Sequence, residues 1–191
     1  MRILFAGASG VLGRNTLPHL LGHEVTGLTR SPEKLELLRE LGVEATVCDV
    51  YDLDALRRLA RGVQPEVVVN FVTDLASRSY DANSRVRREG GRNLISAATA
   101  AGAARLVTES VAFTLDGEAA AAVHELEDAS RAFAGASLIL RFGRLWGPGT
   151  FHEASRGRPA VHVDKAGAEA ARLIAHAPAG TYVVTDRGSE E

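Results

Sequence analysis

The chain has 191 residues, 46% hydrophobic and 24% charged, which is enough to bury one core and short for two independent domains. Its formal net charge of -2 offers no overall basic field for nucleic acid or an anionic membrane, and no apolar run approaches the roughly 20 residues of a bilayer span. One domain over residues 1–191 is expected, cytoplasmic, with a small-molecule partner and neither nucleic acid nor membrane. The lone cysteine, Cys48, cannot form an internal disulfide, and the scattered histidines lack ligand spacing, so no metal site is expected.

In chain order, RILFAG predicts a first strand, and residues from about Gly10 to Leu21 a helix kinked at Pro18 and closed by Gly22. EVTGLTR is a second strand. In SPEKLELLRELG, Ser31 is an N-cap, Pro32 takes the first helical position and Gly42 ends the helix. EATVCDV, the helix DLDALRRLARG and the wholly apolar strand EVVVNFV follow. NSRVRREGGRNLISAATAAGA is helical, ARLVTESVAF a strand, EAAAAVHELEDASRAFAG a helix and ASLILRFG a strand. RLWGPGTFHEASRGRPAVHV reads as irregular, and DKAGAEAARLIAHAPAGTYVVTD as a last helix and strand. Alternating βαβ units with right-handed crossovers predict an α/β fold, a doubly wound parallel sheet of the Rossmann type.

The first strand runs into GASGVLG, where Gly7, Gly10 and Gly13 make a G-x-x-G-x-x-G loop at a strand-to-helix junction. Glycine permits the tight turn and lets backbone N–H groups approach a pyrophosphate. NAD-specific folds tend to end the second strand with an acidic residue; this chain has Thr29, Arg30 and Ser31 there. A guanidinium between two hydroxyls suits a 2′-phosphate, so NADP(H) is expected as cofactor, with NAD a second possibility. Asp49 ends the third strand, placed either to meet the adenine amino group or as a turn residue.

GASGVLG, CDVYD, NFV, GGRNLISAATAAGAARLV, LRFGRLWGPGT and VHVDKAGAEA stand in one order over nearly the whole chain. As an ordered set they resemble the NAD(P)-dependent epimerase/dehydratase group, the extended and atypical branch of the short-chain dehydrogenase/reductases. The resemblance implies a Rossmann core whose C-terminal part, from about residue 144, covers the substrate. It also implies cofactor contacts from Gly7, Ser9, Gly10, Val11, Leu12, Arg30, Asp49, Val50, Phe71 and Val72, and an oxidoreductase on a small organic substrate. A homodimer through helices at about 82–101 and 118–134 is a further implication. Such enzymes carry a Tyr-x-x-x-Lys pair on the helix after the fifth strand. Here Ala119 and Val123 fall at those positions, and Val111 to Arg131 contains no Tyr and no Lys. The piece between GPGT and VHVDK is short, so the substrate lobe is expected to be much reduced.

Ser110 matches the family's strand-end hydroxyl, or else bonds to backbone. His124, beside Glu127 and Asp128, is a candidate acid or base; alternatively His124, Glu125, Glu127 and Asp128 are a solvated helix face. His152 and Glu153 are candidates on a loop that would close over the nicotinamide. Thr73 and Asp74 follow the fourth strand at the ligand-binding edge of the sheet, where Asp74 is a ligand contact or a cap. Arg85, Arg88 and Arg92 form a stripe expected to face solvent or a subunit contact. Two further readings remain: a sensor or scaffold that binds the dinucleotide without chemistry, and a non-redox isomerase, lyase or cyclase.

Overall fold

The computed structural model describes residues 1–190, and the apolar run Val67–Asn70 (β4) lies inside an eight-stranded sheet. On one side of β4 is Arg2–Ala6 (β1), followed outward by Glu24–Thr29 (β2) and Glu44–Val47 (β3). On the other are Arg105–Val111 (β5), Ala136–Phe142 (β6) and, beyond two short strands, Gly180–Thr185 (β9) and Gly188–Glu190 (β10). Every pairing in this sheet is parallel except the β9–β10 hairpin. The chain moves outward from β1 through β3 and then returns to β1's other edge as β4. This reversal opens a crevice at the carboxyl ends of β1 and β4.

Strand alternation sends Ile3, Phe5, Val107 and Leu138 to one face and Leu4, Val68 and Leu106 to the other, giving two buried cores. The first is covered by Val11–Thr16 (α1) and Val163–His176 (α7), which pack on each other; the second by Leu53–Val63 (α3) and Gly91–Ala100 (α5). Among the described residues, no helix is long and apolar enough to cross a membrane.

Several elements differ from the sequence expectation. The first helix does not bend through Pro18. It ends at Thr16 and becomes a 3₁₀ turn over Leu17–His19, because proline has no N–H to continue the α ladder. Ser31 precedes a 3₁₀ turn, Pro32–Lys34, but makes no capping bond, and Leu35–Glu40 (α2) starts only after it. The helix expected from Asn83 begins earlier, at Tyr80–Arg85 (α4), where the Ser79 hydroxyl accepts the Ala82 N–H at 3.2 Å. It then opens into a π-turn, Val86–Gly90, before α5. Gly117–Arg131 (α6) follows β5 as expected. The irregular piece after β6 holds a small parallel pair, Arg144–Trp146 (β7) with Ala160–His162 (β8).

Candidate functional site

A cleft of about 940 Å³ runs along the crevice, at the upper end of the range for small-molecule sites. Its floor is the loop after β1. Gly7 has φ +87°, and a Cβ there would stand 2.3 Å from the Phe71 carbonyl oxygen, so close backbone approach requires glycine. A Cβ on Gly13 would meet the Gly7 carbonyl oxygen at 2.3 Å. Gly10 is different: a Cβ there meets only the Gly7 carbonyl oxygen, at 3.1 Å, and otherwise open cleft. Ser9, Val11 and Leu12 line the same floor.

At the end of β2, the buried Thr29 hydroxyl accepts the Ser31 N–H at 3.1 Å and lies 3.3 Å from the Ser9 hydroxyl. Arg30 reaches across the crevice to Asp74, Nη2 to Oδ1 3.5 Å, with 61% of its side chain exposed. Asp74 is therefore an ion-pair partner and not a side-chain cap. Asp49 lines the cleft while its Oδ1 accepts the Tyr51 N–H at 3.0 Å, so it makes a turn as well as facing the site. Val50, Phe71, Val72 and Thr73 complete this wall. The Phe71 ring packs edge-on against Phe5 and Phe142, at 5.2 and 6.0 Å.

At the end of β5 an ionic cluster surrounds the buried Glu127, its two arginines partly exposed. The Ser110 hydroxyl donates to Glu127 Oε1 at 2.6 Å, and the same carboxylate accepts from Arg141 Nε at 2.8 Å and from Arg131 Nη2 at 2.7 Å. Burial would raise the Glu127 carboxyl, but the hydrogen bonds from Arg141, Ser110 and Arg131 hold it down at about 2. Glu127 thus does not belong to a solvated face. Ser110 lines the cleft, yet its proton is committed to Glu127. His124 is exposed on α6 and lies outside the cleft lining, because the register that buries Val123 and Leu126 turns it to solvent. Ala119 opens on the cleft, whereas Val123 is buried outside its lining. His152 lines the cleft; Glu153 is exposed away from it. The arginine stripe is neutralised within the chain: Arg85 pairs with Glu89, Arg88 with Glu118 and Glu125, and Arg92 with Glu125.

Residues 7–141 match the protein family described as NAD(P)H-binding. The chain belongs to this NAD(P)H-binding family. It is 34% identical to a 3-diazoavenalumate denitrifying reductase of a Streptomyces species, covering 78% of this chain and 58% of that protein. It is 32% identical to a ceramide reductase of Caulobacter vibrioides, covering 77% of this chain and 47% of that protein. The chain thus spans about half the length of these curated relatives. A candidate NAD-dependent epimerase/dehydratase from Bacillus halodurans superposes with a TM-score of 0.80 at 22% identity, over 95% of this chain and 91% of that one. The last likeness shows the Rossmann fold.

The residues present fit a nicotinamide dinucleotide. Beyond the glycine cradle, Arg14 on α1 lines the cleft with its Nε buried and, among the described residues, without a hydrogen-bond partner, as suits a group that binds a phosphate. Sequence reasoning passed over Arg14, and over Lys34, which lines the cleft beside Arg30. It also passed over two groups on the opposite half. Glu109, the neighbour of Ser110, lines the cleft, and burial pushes its carboxyl up to about 7 against a lowering pull from Arg87. Arg87 lines the cleft while only 4% exposed, and its Nε has no partner among the described residues. A carboxylate in the interior of a largely buried strand was the available signal for Glu109. Nothing marked Arg87 among its neighbouring arginines, because the π-turn sets its direction.

Proposed function

We propose that the chain is an oxidoreductase that binds NADPH in preference to NADH and reduces a small organic molecule. The observation that carries the preference is the end of β2, where Arg30 and Lys34 line the cleft beside the Thr29 and Ser31 hydroxyls and none of residues 29–31 is acidic. The Arg30–Asp74 contact is exposed and long, so it is worth little, and the guanidinium is free to turn to a phosphate dianion. Gly10 and Arg14 face the pyrophosphate, and Asp49 and Val50 the adenine end. Phe71, Val72 and Ser110, which line the cleft, would meet the nicotinamide end of a dinucleotide crossing the crevice in this direction. The bound dinucleotide supplies hydride; the protein orients it, excludes water and manages the proton. That two relatives are named as reductases supports reduction as the reaction class.

The test is titration of NADPH and NADH into the parent and Arg30→Asp. The variant is expected to lose about 1.5–3 kcal/mol of NADPH affinity, roughly ten- to hundredfold, and to keep its NADH affinity. Equal responses of both dinucleotides would remove Arg30 from the site. NADPH oxidation is then followed with carbonyl, quinone and flavin acceptors. Tight binding without turnover of any of them would favour a sensor, which the commitment of Ser110 to Glu127 also accommodates. Activity without a dinucleotide would favour a non-redox enzyme.

A further inference from the structure

Among the described residues, three carboxyl side chains line the cleft, and two are engaged: Asp49 by the Tyr51 N–H, Asp74 by Arg30. The third, Glu109, lies near the carboxyl end of β5, opposite Leu140 of β6. Because successive strand residues point to opposite faces, Ser110 goes to α6 and Glu109 goes the other way. Among the described residues, its carboxyl forms no hydrogen bond and no ion pair. Arg87, carried inward by the π-turn, forms none either and is 4% exposed. A buried arginine and a half-buried carboxyl that feels its charge, both unpaired, are costly, and such groups concentrate where a ligand uses them. A π-turn inside an α-helix is a frequent mark of such places.

The direction of the dinucleotide fixes which ligand end they meet. A dinucleotide with its phosphates on the glycine loop and its adenosine at β2 and β3 would bring its nicotinamide to the ends of β4 and β5. The Tyr and Lys that would handle the proton there are missing, and Ser110 is occupied.

We propose that Glu109 is the proton donor to the substrate, with Arg87 as the positioning residue that steadies its carboxylate once the proton has left. This rests on the reduction proposed above. A substrate carbonyl carbon accepts hydride from the reduced nicotinamide and gains a C–H bond. The π-electron pair moves to the carbonyl oxygen, where an O–H bond forms as the O–H bond of Glu109 breaks. The Glu109 carboxylate, beside Arg87, then takes a proton from water through the cleft, which restores the acid. A carboxyl pushed up to about 7 is protonated often enough near neutrality to serve as this acid. Arg87 is the charge acting on it; the other ionisable groups lining the cleft from Asp74 onward are Asp74, Arg78, Tyr80, Arg144 and His152.

The oxidised nicotinamide ring is positive and the reduced ring neutral, so the two dinucleotides probe Glu109 without any substrate. Calorimetry at about pH 6.5, in two buffers of different protonation enthalpy, measures protons released on binding NADP+ and NADPH. The parent is expected to release more with NADP+, by up to about half a proton; the 2′-phosphate contributes equally to both and cancels. Glu109→Gln should abolish that difference while keeping NADPH affinity within about twofold, and Glu109→Asp should restore part of it. Arg87→Gln should retain the difference but move it to higher pH. With any carbonyl acceptor that turns over, Glu109→Gln should lower kcat by about 100- to 10,000-fold, and Ser110→Ala far less. An unchanged difference in proton release in Glu109→Gln overturns the assignment of Glu109 and leaves the NADPH reading standing. A protein that binds neither dinucleotide overturns both.

Discussion

Glu109 and Glu127 begin as the same kind of carboxyl, and their neighbours drive them in opposite directions. Glu127, 2% exposed, is held at about 2 by two arginines and a serine. Between the ordinary 4.5 and that value the unfolded chain binds more protons, so the cluster's contribution is fully present above about pH 4.5 and is lost as the pH falls towards 2. Glu127→Gln is expected to lower stability by about 2–3 kcal/mol at neutral pH, because Arg141 loses its counter-charge, and by little near pH 2.5. Urea melts at both pH values check this; a loss that persists at the lower pH would assign the effect to packing. For Glu109 the sign reverses. Its raised value means that the folded chain binds more protons between 4.5 and about 7, so stability falls as the pH rises through that window. Glu109→Gln should therefore melt above the parent at about pH 8 and with it near pH 4. The sequence could not separate these roles. Both residues read as one more charge in an amphipathic or apolar run, and the deciding arginines are remote in the chain.

At the scale of elements, legibility follows locality. The strands β1, β2, β4, β5 and β6 were readable because parallel strands covered on both faces demand short apolar runs, and GASGVLG because a backbone shape demands glycine at fixed places. Elements fixed by distant partners were not readable. The β7–β8 pair depends on Trp146 stacking edge-on with His162 at 4.5 Å and donating to Asp186 at 3.0 Å. The π-turn of Val86–Gly90 leaves no compositional trace, and it delivers Arg87 to the site. A contact between elements also explains a glycine that the sequence leaves unremarked. Gly167 lets α7 approach α1 so closely that a Cβ would stand 2.2 Å from the Asn15 carbonyl oxygen. Since α1 carries the glycine loop, Gly167→Ala should push the two helices apart, cost about 1–3 kcal/mol and weaken NADPH binding as well. Gly62→Ala is the control. A Cβ there meets nothing within 4 Å, and alanine in a helix should stabilise by about 0.5–1 kcal/mol. Equal behaviour of the two variants in thermal melts and NADPH titration would show that the α1–α7 contact does not set the loop.

For the whole molecule, the sheet reversal divides the site between two groups of strands, β1 to β3 and β4 to β6, and a dinucleotide lying across the crevice ties them together. Binding confined to the folded state stabilises by about 2.7 kcal/mol at a hundred times Kd, which for a domain of this size corresponds to a rise in Tm of about 5–10 °C. The glycine loop lets this linkage be separated from folding. Gly10 has φ −72° and ψ 168°, an extended conformation open to any residue, and a Cβ there meets one protein atom at 3.1 Å. Gly10→Val should therefore melt within about 2 °C of the parent without ligand, yet show no rise with NADPH, because its branches fill the space of the pyrophosphate. Gly13→Val should melt well below the parent even without ligand, since its Cβ would meet the Gly7 and Ala8 carbonyl oxygens at 2.3 and 2.7 Å. Arg30→Asp should retain the NADH response and lose most of the NADPH response. A full NADPH-induced rise in Gly10→Val would place the phosphates away from this loop and detach the glycine motif from cofactor binding.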